Sequence, residues 1–319
     1  MRTLLALAVS MLLPTIALAQ TFPGKPIRLI TLTTAGGALD TLARVIAQGL
    51  TERMGQPALV EIRTGAGGNV GAEAIARSAP DGYTIGMVTV STHGINPSLY
   101  DNMPFDAVRD FAPITLASVQ RNVVVVNPSI PAANIPELVT YARANPGKLS
   151  FGSAGTGTSQ HLSGELFKMV AGVDMVHVPY KGASQAMPDL LSGQISLMFV
   201  TPHEALPQVR SGKLRALGVT SLDRSPLFPG AAPIAEQGYP GFDVRAWFGV
   251  VGPAGMNRDI VGRYNREIVA TLTQSATRDR LAAIGMDVST SSPEQFAAFI
   301  RSEIEKWAPV VKASGAHAH

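Results

Sequence analysis

An alternation of strand-like and helix-like segments constrains this chain more than any other feature. Residues 27–33 (IRLITLT) are apolar and largely β-branched, and Gly36-Gly37 follow. Leu39, Leu42, Ala43, Ile46 and Leu50 then recur at spacings of three and four, which places them on one helix face. The theme returns as ALVEIR (58–63) before TGAGGNVGAEAIARSAP, and as GYTIGMVTV (82–90) before STHGINPSLY. Such β-loop-α alternation predicts a parallel sheet with helices on its faces.

The organisation changes at residues 113–131, PITLASVQRNVVVVNPSIP, a long β-rich stretch punctuated by proline. It reads as a crossover into a second α/β unit. That unit contains SFGSAGTGTSQHLSGELF (150–167), DMVHVPYKG, QISLMFVTP and LRALGVTS. Residues 223–241 are rich in Pro and Gly, and FDVRAWFGVVGP then looks like a strand returning to the first unit. The last helical pattern sets Ile300, Ile304, Trp307 and Val311 on one face. Two crossovers predict a discontinuous first lobe, residues 20–121 and 246–319, around an inserted second lobe, residues 122–245.

Residues 1–19 are expected to be removed. Arg2 is a short positive region, residues 4–13 are apolar, and Ala17-Leu18-Ala19 is a small-x-small cleavage site. The apolar run falls short of the ~18 residues a membrane span needs. Twin arginines are absent, which favours the Sec route, and a chain with 0 Cys can carry no lipid anchor at the cleavage site. The expected location is a bacterial periplasm, with the protein free and soluble. The missing cysteines also exclude disulfides, thiol nucleophiles and thiolate metal sites. A net charge of +3 with no concentrated basic run argues against nucleic acid.

The chemistry-bearing stretch is residues 150–167. Leu162, Leu166, Met169 and Val170 suggest a buried helix face, Gly172 a stop, and Thr158 or Ser159 an N-cap. Residues 153–158 then lie where free amides and the positive end of a helix dipole converge, which suits an anion. An ordinary capped β-α turn is the competing reading of this motif alone. A P-loop is disfavoured because Thr158-Ser159 stand where lysine and Ser/Thr are required. Gly-x-Ser-x-Gly does not occur, which weakens a serine hydrolase. His161 is as able to support the loop as to act as a base. RTGAGGNVGAE (63–73) lacks the spacing and the downstream acid of a dinucleotide fingerprint and reads as a structural turn. The six histidines form no HxH or HxxxH pair within a regular element, so neither metal nor cofactor is expected. Trp247 and Phe248 suit either a pocket wall or core packing.

The ordered set KPIRLI, Gly36-Gly37, Asp40-x-x-Ala43-Arg44, GAGGNVGAEAIARSAPDGYTI, INPSLYDNMPFDAVRDFAPIT, FGSAGTGTSQHLSGELFK, VPYKGASQAMPDLLSGQISLMF, GKLRALGVTS and GYPGFDVRAWFG resembles one family. These are the Bug (TctC-type) periplasmic solute-binding proteins of tripartite tricarboxylate transporters, and the resemblance runs from about Pro23 to Trp307. It implies an α/β, two-lobed periplasmic-binding-protein fold of type II (Venus-flytrap), each lobe a mixed sheet flanked by helices. It implies a non-enzymatic receptor that binds a small carboxylate in the interdomain cleft and hands it to membrane transporter subunits. A sensor kinase of a two-component system is a second possible partner, an exported hydrolase or lyase the alternative activity, and a monomer the expected state.

The resemblance also implies a ligand site. One wall is Thr33, Thr34, Ala35, Gly36, Gly37 and Leu39; the border is Ser91, Thr92 and His93; the opposite wall is Ser153, Ala154, Gly155, Thr156, Gly157 and Thr158. Val200 and Thr201 stand where many members carry an acid or Asn, which argues against an amino-acid ligand. A non-amino mono- or dicarboxylate, aromatic acids included, is expected. Thr156→Pro is expected to weaken binding by distorting the turn.

Overall fold

The computed structural model describes residues 22–318, so the expected leader lies outside the described residues. The chain begins β1 (Ile27–Thr31), α1 (Ala38–Met54), β2 (Ala58–Ile62), α2 (Asn69–Ala76), β3 (Thr84–Thr89), α3 (Asn96–Leu99) and β4 (Phe111–Arg121). It continues β5 (Val123–Val126), α4 (Ile135–Ala144), β6 (Leu149–Ser153), α5 (Ser159–Ala171), β7 (Met175–Pro179), α6 (Ala183–Ser192), β8 (Leu197–Val200), α7 (Pro202–Arg210) and β9 (Arg215–Val219). It closes with β10 (Arg245–Pro253), α8 (Arg258–Leu272), α9 (Ser275–Ala282), β11 (Asp287–Val288) and α10 (Pro293–Ser314).

These strands form two sheets, ordered β11-β4-β10-β3-β1-β2 and β7-β6-β8-β5-β9. The alternating segments pair in parallel as expected: β1 with β2 and β3, and β6 with β7 and β8. The strands nearest the crossovers add antiparallel pairs, β10 with β3 and β4, and β5 with β8 and β9. Both sheets are therefore mixed, in the two-lobed α/β architecture anticipated from the resemblance.

Local sequence explains the packing. In β5 the run of four valines is wholly buried. Successive side chains of a strand point to opposite faces, so Val124 and Val126 join one apolar cluster with Phe151 and Leu162, while Val123 and Val125 join a second with Ala186 and Leu190. The stripe Leu39, Leu42, Ala43, Ile46 and Leu50 seats α1 on the first sheet. Helix α5 stops at Gly172, as expected, but its buried face differs from the expected one. Leu162 and Phe167 are buried, Leu166 is half-buried, and Met169 and Val170 are exposed. Residues 159–165 of α5 are all buried, and α10 packs against this helix in addition to β6, β7 and β8.

The chain leaves the first sheet at Asn122 and returns through residues 220–244. Thr220 stitches both passages at one point. Asn122 N donates to its Oγ1 at 2.9 Å, and that hydroxyl donates to Val244 O at 2.6 Å. Thr220 N donates to Asn122 O at 3.0 Å, and Val244 N donates to Thr220 O at 2.8 Å. Trp247 is core rather than pocket wall: it is buried, and its indole N–H donates to Glu303 Oε2 at 2.9 Å.

Candidate functional site

In each lobe the first strand of a β-α-β-α-β run lies between the other two, so the chain winds to one side of it and then to the other. In open α/β sheets such a switch point leaves a crevice beyond the carboxyl ends of the strands where ligands bind. Here the switch points are the passage from β1 into α1 and the passage from β6 into α5. Residues 33–37 and 153–158 therefore occupy equivalent places in the two lobes.

The α5 turn is closely determined. Thr158 N donates to Gly155 O at 3.3 Å, and Gly157 has φ 79°, as at the third position of a type II turn. Thr158 is the N-cap, its hydroxyl accepting from His161 N at 3.3 Å. The expectation of an open amide cradle over residues 153–158 is corrected here, because most of these amides are occupied. Ala154 N donates to Gln160 Oε1 at 2.8 Å, Gly155 N to Ser153 Oγ at 3.1 Å, and Gly157 N to His161 Nδ1 at 3.2 Å. The amides of Thr156, Ser159 and Gln160 have no acceptor among the described residues and are left for an external one.

Ser153 is buried and acts as a fastener. Its Oγ accepts the Gly155 amide and lies 2.7 Å from His177 Nε2. No carboxylate bonds to His177 among the described residues, so the Ser–His contact lacks the acid that would orient a base. Burial pushes the pKa of His161 down to about 3 and that of His177 down to about 4, with nearby Lys168 adding to both and His177 to the former.

The α1 turn is simpler. Thr33, Thr34, Ala35, Gly36 and Gly37 are exposed, while the Leu39 side chain is buried, so only its main chain can face a solute. Gly37 is an N-cap without a side-chain bond, and the amides of Ala38, Leu39 and Asp40 have no acceptor among the described residues. Gly36 N donates to Asp40 Oδ2 at 2.9 Å, and Arg44 Nε donates to the same oxygen at 3.0 Å. Arg44, together with the Gly36 amide, holds the Asp40 carboxyl below the usual range despite its burial.

Ser91, Thr92 and His93 lie in a single wide helical turn after β3. Thr92 and His93 are fully buried; His93 packs between Phe105 and Phe111, and desolvation lowers its pKa to about 3. Val200 is likewise buried in the second core. His93 and Val200 thus belong to the cores in this conformation. Thr201 is half-buried and donates to Glu204 Oε2 at 2.7 Å; beside it, Pro202 meets Gly285 of the first lobe.

The structure also supplies neighbours that the sequence did not reveal. A Cβ built on Gly157 would stand 2.4 Å from Leu99 Cδ2 and 3.3 Å from Asn96 Oδ1. The α5 turn therefore touches α3 of the first lobe directly. Asn96 also borders Gly67 and donates to Asn69 Oδ1 at 2.8 Å, while Thr92 and Leu32 crowd Gly68. The carboxyl ends of β1, β2 and β3 thus converge on one edge, and Gly157 reaches that edge. Surface cavities of about 580 Å³ beside Arg28 and Arg77, and about 730 Å³ beside Leu206 and Phe228, are lined by none of the proposed loop residues. The two turns are candidates for the site by their switch-point position rather than by cavity size. No group of His, Asp or Glu among the described residues is arranged to hold a metal ion, and no described helix is long and apolar enough to cross a membrane.

A family model described as "Tripartite tricarboxylate transporter family receptor" matches residues 42–316. Protein BugT of Bordetella pertussis is 36% identical over 299 residues, spanning 93% of this chain and 92% of BugT. Among solved structures, an R. palustris protein with adipate is similar at TM-score 0.84 and 33% identity, covering 93% of this chain and 99% of that one. MatC from Rhodopseudomonas palustris with bound malate is similar at TM-score 0.80 and 30% identity, covering 91% and 100%. With a family match along most of its length and relatives of this identity over nearly all of it, the chain belongs to the tripartite tricarboxylate transporter receptor family, TctC.

Proposed function

We propose that the protein is an extracytoplasmic receptor that closes on a small carboxylate and delivers it to the membrane subunits of a tripartite tricarboxylate transporter. The observation that carries this reading is the pair of helix termini with free amides, α1 and α5, at equivalent switch points of the two lobes. Amide groups at a helix start favour an anion by roughly 0.3–2 kcal/mol each in partly buried geometry. Several acting together reach micromolar affinity, about −8 kcal/mol, without a buried cation. A ligand touching both termini stabilises the closed arrangement, since the open one offers only one set.

The ligand class is a non-amino mono- or dicarboxylate, aromatic acids included. Adipate and malate on the similar structures support this, and no acidic side chain occupies residues 200–201 to meet an ammonium group. The protein works as an exported, unanchored monomer that performs no chemistry on its ligand. Calorimetric titration against malate, adipate, benzoate and aspartate tests the reading. Micromolar binding of at least one of the first three, with the acid recovered unchanged, is expected. Binding of aspartate alone would overturn the ligand class, and conversion of the acid would overturn the receptor.

A further inference from the structure

The turn that opens α5 is held from beneath by a side chain. His161 is 3% exposed, and its Nδ1 takes the Gly157 amide. A backbone N–H can only donate, so Nδ1 must carry a lone pair and the ring proton sits on Nε2. The ring is enclosed on its other sides. It stacks on His177 at 4.0 Å between centroids, and Nε2 faces Glu165 Oε1 at 3.9 Å. Lys168 pairs with the same carboxylate at 3.0 Å.

The first lobe repeats the device with different chemistry. There the Gly36 amide reaches Asp40, four residues on, as the Gly157 amide reaches His161. In both lobes the donor precedes the N-cap and the acceptor is the third residue of the helix. Two turns unlike in sequence are thus fixed by the same bond. In a type II turn the central peptide plane is the one that flips to give a type I turn. Here that plane joins Thr156 to Gly157, and an acceptor at His161 Nδ1 selects one of its two orientations.

We propose that His161 is a positioning residue for the solute site: by accepting the Gly157 amide it fixes the peptide plane beside the free amides of Thr156 and Ser159. The proposal rests on the reading of this turn as one wall of the carboxylate site. Asn at residue 161 keeps an acceptor at the same branch of the side chain, whereas Leu keeps the bulk and removes it.

The test measures exchange of the Gly157 amide, nitrogen NMR of the His161 ring, and titration with malate and adipate. In the wild type, Nδ1 is expected to be unprotonated at neutral pH and Gly157 protected. His161→Leu should speed Gly157 exchange and weaken acid binding, each by about tenfold, the effect of one hydrogen bond. His161→Asn should restore both. Unchanged Gly157 exchange in a folded His161→Leu protein overturns the proposal, as does a protonated Nδ1 or an Asn variant that behaves like Leu. A wild type that binds neither acid would instead overturn the receptor reading, on which Gly157 exchange does not depend.

Discussion

Thr156→Pro removes one donor from the α5 turn and leaves the remainder of the turn in place. The bond from Thr158 N to Gly155 O at 3.3 Å and the φ of 79° at Gly157 put Thr156 at the second position of a type II turn, where proline is favoured. The preceding residue is Gly155, which has no Cβ to clash with the proline ring. Thr156 is exposed, and its amide has no acceptor within the described protein, so no internal bond is lost. The reason for weakened binding is therefore loss of a donor, not the distortion that the sequence suggested. A hydrogen bond to a charged group contributes about 1.5–3 kcal/mol, which corresponds to a loss of about 10- to 150-fold in affinity. Thr156→Ala keeps the amide and should change affinity by less than about 0.5 kcal/mol. Calorimetry with malate or adipate, paired with thermal melts, separates the cases. A folded proline variant with wild-type affinity would remove this amide from the site, and an alanine variant as weak as the proline one would move the contact to the side chain.

Acid should destabilise the protein earlier than carboxylates alone would require. His93 and His161 are buried and depressed to about 3, against an ordinary 6.5 when unfolded. Their contribution is complete above about 6.5 and is lost as pH falls toward 3, because unfolding takes up a proton at each. The slope is about 1.4 kcal/mol per pH unit per histidine, and urea unfolding that is flat between pH 6.5 and 4 would contradict it. Glu303→Ala should cost about 1–3 kcal/mol for each of two orphaned indole groups, since Glu303 Oε2 accepts from Trp247 at 2.9 Å and Trp307 at 3.1 Å. Glu303→Gln keeps an acceptor and should cost less, and equal losses in denaturant titrations would refute the role. Gly157→Ala should cost roughly 1–2 kcal/mol from its left-handed backbone, and its Cβ would wedge against Leu99. Unchanged stability and affinity would show that the turn does not need this close approach.

What the sequence could show was local. The stripe from Leu39 to Leu50, the N-cap at Thr158 and the stop at Gly172 all follow from neighbouring residues, and the structure has each of them. The two β-rich crossover stretches, residues 113–131 and 242–253, also suggested an inserted second lobe, whereas the pairing of the two turns came only from the resemblance. Neither route revealed which amides are already occupied, because Gln160, His161 and Ser153 fold back onto the turn only in three dimensions. The meeting of Asn96 with Gly67 and Gly157 joins segments far apart in the chain, and no local pattern marks it. The Thr220 stitch between the two crossovers is hidden for the same reason, and β11 is too short to carry a period.

A crystal structure of the protein with malate or adipate bound bears most directly on the two-terminus site. One carboxylate should accept from the amides of Thr156, Ser159 or Gln160, and the ligand's other end should lie against the first turn of α1. Ligand density seated elsewhere, for instance in the groove beside Leu206 and Phe228, with both turns empty, would contradict that site.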